Sequence, residues 1–139
     1  MMQPVSNYID HTNLNQTANN FDIEKLCNEA RDNNFAAVCV NPVYVPLASD
    51  MLNGQAPKVC TVVGFPMGAD STEMKFAEAR YLTHQGAEEL DMVINIAAIK
   101  EKDIALVKNE IVKIVDAADG NCVKVIIETC LLCLLYTSP

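Results

Sequence analysis

Apolar residues along the chain follow two alternating rhythms. Phe35–Val40, Val59–Val63, Met92–Ile94 and Val123–Ile127 are short runs rich in β-branched residues, with almost no polar alternation, and Tyr8-Ile9 is a weaker fifth. Such runs predict parallel strands covered on both faces, since a strand with one wet face would alternate. Between them the period becomes helical. Ile23, Leu26, Cys27 and Ala30 recur at i, i+3, i+4 and i+7 and predict one buried stripe. Asp70 followed by Glu73 predicts a capping box opening a second helix, with Met74, Ala77 and Tyr81 turned inward. Ile104, Val107, Ile111, Val115 and Ala118 predict the buried face of a third, closing at Asp119-Gly120, where glycine accepts a left-handed cap. Pro42 after Asn41 predicts a shorter helix with proline in its first turn. No helix signature follows the last apolar run.

Repeated strand–helix units predict an α/β fold with a parallel sheet. Open doubly wound sheets and closed barrels share that alternation. Neither G-x-G-x-x-G nor G-x-x-x-x-G-K-[ST] occurs, so the phosphate loops of nucleotide-binding open sheets are missing and the barrel is favoured. A (β/α)8 TIM barrel takes eight strands over typically ~250 residues. About five strands are legible in 139 residues. The expectation is therefore an incomplete barrel, the first five strand–helix units, with residues 1–132 as its N-terminal part. Residues 133–139, Cys-Leu-Leu-Tyr-Thr-Ser-Pro, resemble the conceptual translation of a sequencing adapter and are expected to be a non-native tail.

Composition narrows the function. Half the residues are hydrophobic and 20% are charged, enough apolar surface to offset the entropy of ordering. A net charge of −8 with ten scattered Lys and Arg predicts no nucleic-acid partner and no attraction to anionic membranes. The N-terminus carries no basic segment followed by an apolar stretch, and no run approaches the ~18 apolar residues of a membrane span. Of six cysteines, Cys39, Cys60 and Cys122 lie in or beside strand-like runs, as small buried hydrophobes would. A reducing, cytoplasmic setting is expected.

Catalytic groups of parallel barrels gather at the C-terminal ends of strands. Those positions hold Asp10-His11-Thr12, Asn41, Gly64-Phe65-Pro66-Met67-Gly68, Asn95 and Glu128-Thr129. Two charges sit within strands. Alternation puts Asp91, Val93 and Asn95 on one face of their strand, and Lys124, Ile126 and Glu128 on one face of theirs. Buried charges demand partners or a function. Asp91 and Lys124 therefore read either as a structural ion pair between neighbouring strands or as a carboxylate and amine poised for proton transfer. His11 reads as a histidine hydrogen-bonded near a turn, and His84 as an exposed helix end. There is no G-x-S-x-G elbow for a hydrolase. Cys130-x-x-Cys133 lacks the second ligand pair of a zinc site, so no metal is expected.

Five segments together resemble the deoxyribose-phosphate aldolase family: Tyr8–Thr12, Phe35–Pro42, Cys60–Gly68, Gly86–Asn95 and Val123–Thr129. They occur in family order and at family spacing, from about Tyr8 to Leu132. The resemblance implies a barrel lyase that reversibly cleaves 2-deoxy-D-ribose 5-phosphate to acetaldehyde and glyceraldehyde 3-phosphate. It implies a lysine Schiff base, no metal and no organic cofactor, and it allows a homo-oligomeric parent. It assigns Asp91 to the proton relay, Asp10 to support of that relay, Cys39 to the aldehyde pocket, and Lys124 to a supporting electrostatic role. The Schiff-base lysine of the family lies on a sixth strand that these residues do not include, and no lysine here matches it. The chain alone is expected to be inactive, and its uncovered sheet edges and inner face to make it poorly soluble or molten. Two other readings are a different Schiff-base aldolase or isomerase, and a non-catalytic half-barrel that binds a partner or self-assembles.

Overall fold

The computed structural model of the chain describes residues 4–132, so the tail expected at 133–139 lies outside the described residues. Five parallel strands form one sheet: β1 (Asp10–Asn13), β2 (Ala37–Val40), β3 (Lys58–Val63), β4 (Glu89–Val93) and β5 (Cys122–Ile126). The connecting helices are α1 (Asn20–Asp32), α2 (Val45–Leu52), α3 (Thr72–His84), α4 (Ile96–Lys100) and α5 (Ile104–Ala117), and α6 (Thr129–Leu132) follows β5. Tyr8 belongs to a 3-10 turn, and Ile9 already accepts bonds from Ala36 N and Ala37 N at 3.0 and 3.3 Å. The weak fifth run is thus the approach to β1.

Strand order decides between the two candidate architectures. A doubly wound sheet reverses its order at a switch point. Here the order is β1-β2-β3-β4-β5, each strand beside its predecessor, which is the winding of a barrel wall. The wall has two faces. Toward the helices, Val38, Val40, Val59, Val63, Leu90 and Met92 pack against Ile23, Leu26, Leu52, Ala79, Leu82 and Ile114. Toward the interior, Ala37, Cys39, Cys60 and Val62 form a separate small cluster with Leu14.

Local chemistry sets the helix starts. Asn19 and Asp22 form a reciprocal capping box on α1, and Asp103 accepts from Leu106 N at the head of α5. Helix α3 starts from Ser71, whose side chain accepts from Met74 N, and not from an Asp70–Glu73 box.

The buried faces of α3 and α5 also differ from their apolar stripes. Met74 and Tyr81 are 64% and 61% exposed, while Thr72, Lys75, Ala79 and Leu82 are buried. On α5 the expected Val107 and Ala118 are buried and Ile111 packs on the core, but Ile104 and Val115 face solvent, and Glu110, Ile114 and Ala117 join the buried side. One pair accounts for the charged positions on both buried faces. Lys75 and Glu110, each 0% exposed, meet at 2.9 Å, and Lys75 Nζ also donates to Val93 O at 2.9 Å. Thr72 Oγ1 donates to the second Glu110 oxygen at 3.3 Å. A stripe reader discards these positions as polar and settles on the neighbouring face. The helices α4 and α6 are further departures: α4 is too short to show a period, and a short helix does follow β5.

Glycine makes room for this knot. Gly64, at φ +63°, leaves no space for a Cβ, which would lie 2.8 Å from Lys75 Cε. At Gly68 a Cβ would fall 2.3 Å from Ile94 O. The loop after β3 is thereby pressed onto the end of β4. Removing one member of a buried pair strands the other charge, at a cost of about 3–5 kcal/mol. Lys75→Met is expected to lose stability of that order in urea unfolding, and Lys75→Met with Glu110→Leu to regain most of it. Equal losses in the single and double variants would contradict the pairing argument.

Candidate active site

The inner face of the wall gathers the charged residues of the strands. Parallel register places Asp91 beside Lys124, and Cys39 beside Cys60, with Cys60 beside Glu89. Asp10 and Thr12, paired with Ala37 and Cys39, occupy the same face on β1. Lys124 Nζ reaches Asp10 Oδ2 at 2.5 Å, Glu89 Oε2 at 3.1 Å and Asp91 Oδ1 at 3.1 Å.

The Asp10 contact joins the two outermost strands of the sheet. In a flat sheet β1 and β5 would stand ~19 Å apart, four spacings of about 4.8 Å. Direct contact between their side chains requires a strongly curled wall. The lysine thus measures the curvature of the arc.

The electrostatics are unbalanced. Lys58, at the rim, approaches Glu89 Oε1 at 3.4 Å. Even counting it, three carboxylates face two ammonium groups. Asp91 Oδ1 is buried and, despite its 3.1 Å approach to Lys124, receives no hydrogen bond of good geometry from any described residue. Burial alone would lower the Lys124 pKa. Hydrogen bonds to Asp10 and Glu89, with the nearby Cys60 and Asp91, outweigh that effect and hold it well above the ordinary lysine range. A lysine so held is protonated at neutral pH and is a poor amine nucleophile. Cys60 sits against Cys39, and that neighbour together with burial keeps its thiol well above the ordinary range.

Of the residues expected from the sequence, Asp10, Asp91 and Lys124 meet directly, and Cys39 lies within 4.8 Å of Asp91 and Cys60 by its ligand atom. The ion pair and the interior cluster are therefore one arrangement. Sequence reasoning misses Glu89 and Cys60. Glu89 precedes Asp91 by two and must share its face, a signal hidden by its place at the edge of the apolar run. Cys60 reads along the chain only as a buried hydrophobe.

Other candidates lie elsewhere. His11 points to the helix side, where Nε2 is 2.8 Å from Glu29 Oε2 and the ring packs on Phe35. His84 is exposed at the end of α3. Asn95 caps α4 through Ala98 N, and Asn41 donates to Asn15 O at 3.3 Å. Cys122 is exposed, contrary to expectation, because it opens β5 at the rim; Cys133 lies outside the described residues. No helix among the described residues is long and apolar enough to cross a membrane.

Residues 5–133 match the family described as DeoC/LacD family aldolase. The chain belongs to this aldolase family. A deoxyribose-phosphate aldolase of Clostridium perfringens is 52% identical over 131 residues, covering 94% of this chain and 58% of that protein. One from Thermotoga maritima is 50% identical over 131 residues, covering 94% of this chain and 53% of that protein. The tetrameric deoxyribose-phosphate aldolase structure from Aeropyrum pernix superposes with a TM-score of 0.83 at 35% identity, covering 91% of this chain and 53% of that one. The chain thus spans somewhat over half the length of these relatives, and its five strand–helix units correspond to part of the barrel.

The raised Lys124 pKa fixes the sign of a pH test. The folded chain holds this proton more tightly than the unfolded chain, so its contribution is complete below about pH 10.4 and fades above it. The stability gap between wild type and Lys124→Met, read from urea titrations, is expected to be constant from about pH 7 to 9 and to narrow above about 10.5. A gap that closes near neutrality would contradict the raised pKa.

Proposed function

We propose that residues 1–132 are the N-terminal part of a deoxyribose-phosphate aldolase, a class I lyase of the cytoplasm. Its reaction is the reversible cleavage of 2-deoxy-D-ribose 5-phosphate to acetaldehyde and glyceraldehyde 3-phosphate. The observation that carries this reading is the interior cluster of Asp10, Glu89, Asp91 and Lys124, set in a family aldolase wall with carboxylates in excess.

That excess suits Schiff-base chemistry. Cleavage through a lysine iminium places a positive charge at the reacting centre, and a wall of surplus carboxylates lowers the energy of that charge. In this reading Asp91 gives and takes the proton, since its Oδ1 is oriented inward without a fixed donor. Asp10 steadies the relay through Lys124. Lys124 stays protonated, tuning the carboxylates without forming the covalent bond. Cys39 lines the pocket that receives the aldehyde. The Schiff-base lysine and the phosphate-gripping groups belong to barrel units outside the matched segment. The substrates are small molecules, and nucleic acids and membranes take no part. The complete protein assembles as a homo-oligomer, a reading supported by the tetrameric Aeropyrum pernix relative.

Borohydride reduction in the presence of 2-deoxy-D-ribose 5-phosphate tests the assignment, because it traps an iminium as a permanent mass increase. The 139-residue chain is expected to gain no adduct and to show no turnover. An adduct at Lys124 would overturn its supporting role. When the chain is extended through the remaining barrel units of a relative, trapping and turnover are expected to appear. Asp91→Asn in that protein is expected to lower kcat by roughly 10²–10⁴. An extended chain that folds yet neither traps nor turns over would favour a non-catalytic binding module.

A further inference from the structure

Two thiols stand beside the carboxylates of the inner wall, and the proposed reaction uses neither as a ligand. Cys39 and Cys60 are register partners on β2 and β3, both buried, and both face inward. Their sulfurs and an Asp91 oxygen all lie within 4.8 Å of one another, and so do ligand atoms of Asp10, Cys60 and Glu89. The two trios share Cys60. We propose that this wall is a binding site for a thiophilic divalent cation, of the zinc and cadmium class, held by Cys39 Sγ, Cys60 Sγ and Asp91, with a carboxylate of the second trio completing the shell.

Geometry permits it at small cost. Tetrahedral ligands with metal–sulfur bonds near 2.3 Å stand about 3.7 Å apart, so the donors need to close by only about an ångström. Strand register already holds them together, and side-chain rotation supplies the rest. Charge favours it too. The cluster carries more carboxylates than ammonium groups, and the buried Asp91 Oδ1 lacks a hydrogen bond from any described residue. Two sulfurs select a soft cation over magnesium or calcium, which prefer all-oxygen shells. Cys27 supplies the contrast. It is equally buried, but lies in the apolar layer between sheet and helices, packed among Ile23, Leu26 and Ala30.

Binding displaces the two thiol protons to solvent. Lys124 is the competitor, because its ammonium occupies the carboxylates that the cation would take. Occupancy would remove Asp91 from proton transfer and silence the aldolase. Only that last consequence rests on the proposed function; the binding itself does not.

The test uses the reduced chain with Cys122, Cys130 and Cys133 changed to Ser, titrated with cadmium chloride. The ultraviolet thiolate-to-cadmium charge-transfer band reports binding, and circular dichroism checks the fold of each variant. The band is expected to saturate at one cadmium per chain. Cys39→Ser and Cys60→Ser are each expected to weaken binding roughly tenfold or more, Cys27→Ser to leave it unchanged, and Lys124→Met to tighten it. If Cys60→Ser fails to fold, Cys39→Ser and Lys124→Met decide. No saturable band, a band indifferent to Cys39→Ser, or weaker binding in a folded Lys124→Met variant would overturn the site.

Discussion

One ammonium group reaches across the whole arc of strands. Lys124 lies on the last strand and Asp10 on the first, yet their charged atoms are 2.5 Å apart. In a flat parallel sheet that contact is impossible, because four strand spacings far exceed the combined reach of the two side chains. The backbone ladders alone tolerate a range of curvature. The cross-arc pair marks where in that range the wall stands, while backbone register brings Asp91, Glu89 and Cys60 together on the inner face. The site therefore depends on the curvature of the fold.

The chain uses a lysine–carboxylate pair twice, with opposite balance. Lys75 and Glu110 are wholly buried between α3, α5 and the end of β4, one charge against one, with Val93 O and Thr72 as further partners. The charges match, and the pair pins the loop after β3 against β4. The interior cluster leaves carboxylate in excess and an Asp91 oxygen without a well-formed hydrogen bond. A protein tolerates such an imbalance where it faces something that completes it. Structural and chemical roles here differ in whether the local charges and hydrogen bonds are all matched.

That difference also governs what can be read from the sequence. The strands are legible because parallel strands buried on both faces leave unbroken apolar runs, and Asp91 and Lys124 stand out as charges inside them. The face of α3, and part of that of α5, mislead for the converse reason. Apolar periodicity assumes that buried means apolar, and the buried positions there include Lys75, Glu110 and Thr72. Each fits inside only because the others are present, and a partner 35 residues away leaves no mark in a local window. Glu89 escapes because it sits where β4 begins, and Cys60 because a thiol in an apolar run looks like filler. The link between Asp10 and Lys124, 114 residues apart, follows from no pattern along the chain.

The chemistry of Lys124 then limits what this wall can contribute. A Schiff-base lysine must spend time as the neutral amine, which calls for burial away from anions or a neighbouring cation. Lys124 has the reverse setting: three carboxylates crowd its ammonium and hold its pKa up. On the proposed reading the covalent bond therefore forms on a different lysine, and this wall contributes fixed charge and a proton relay.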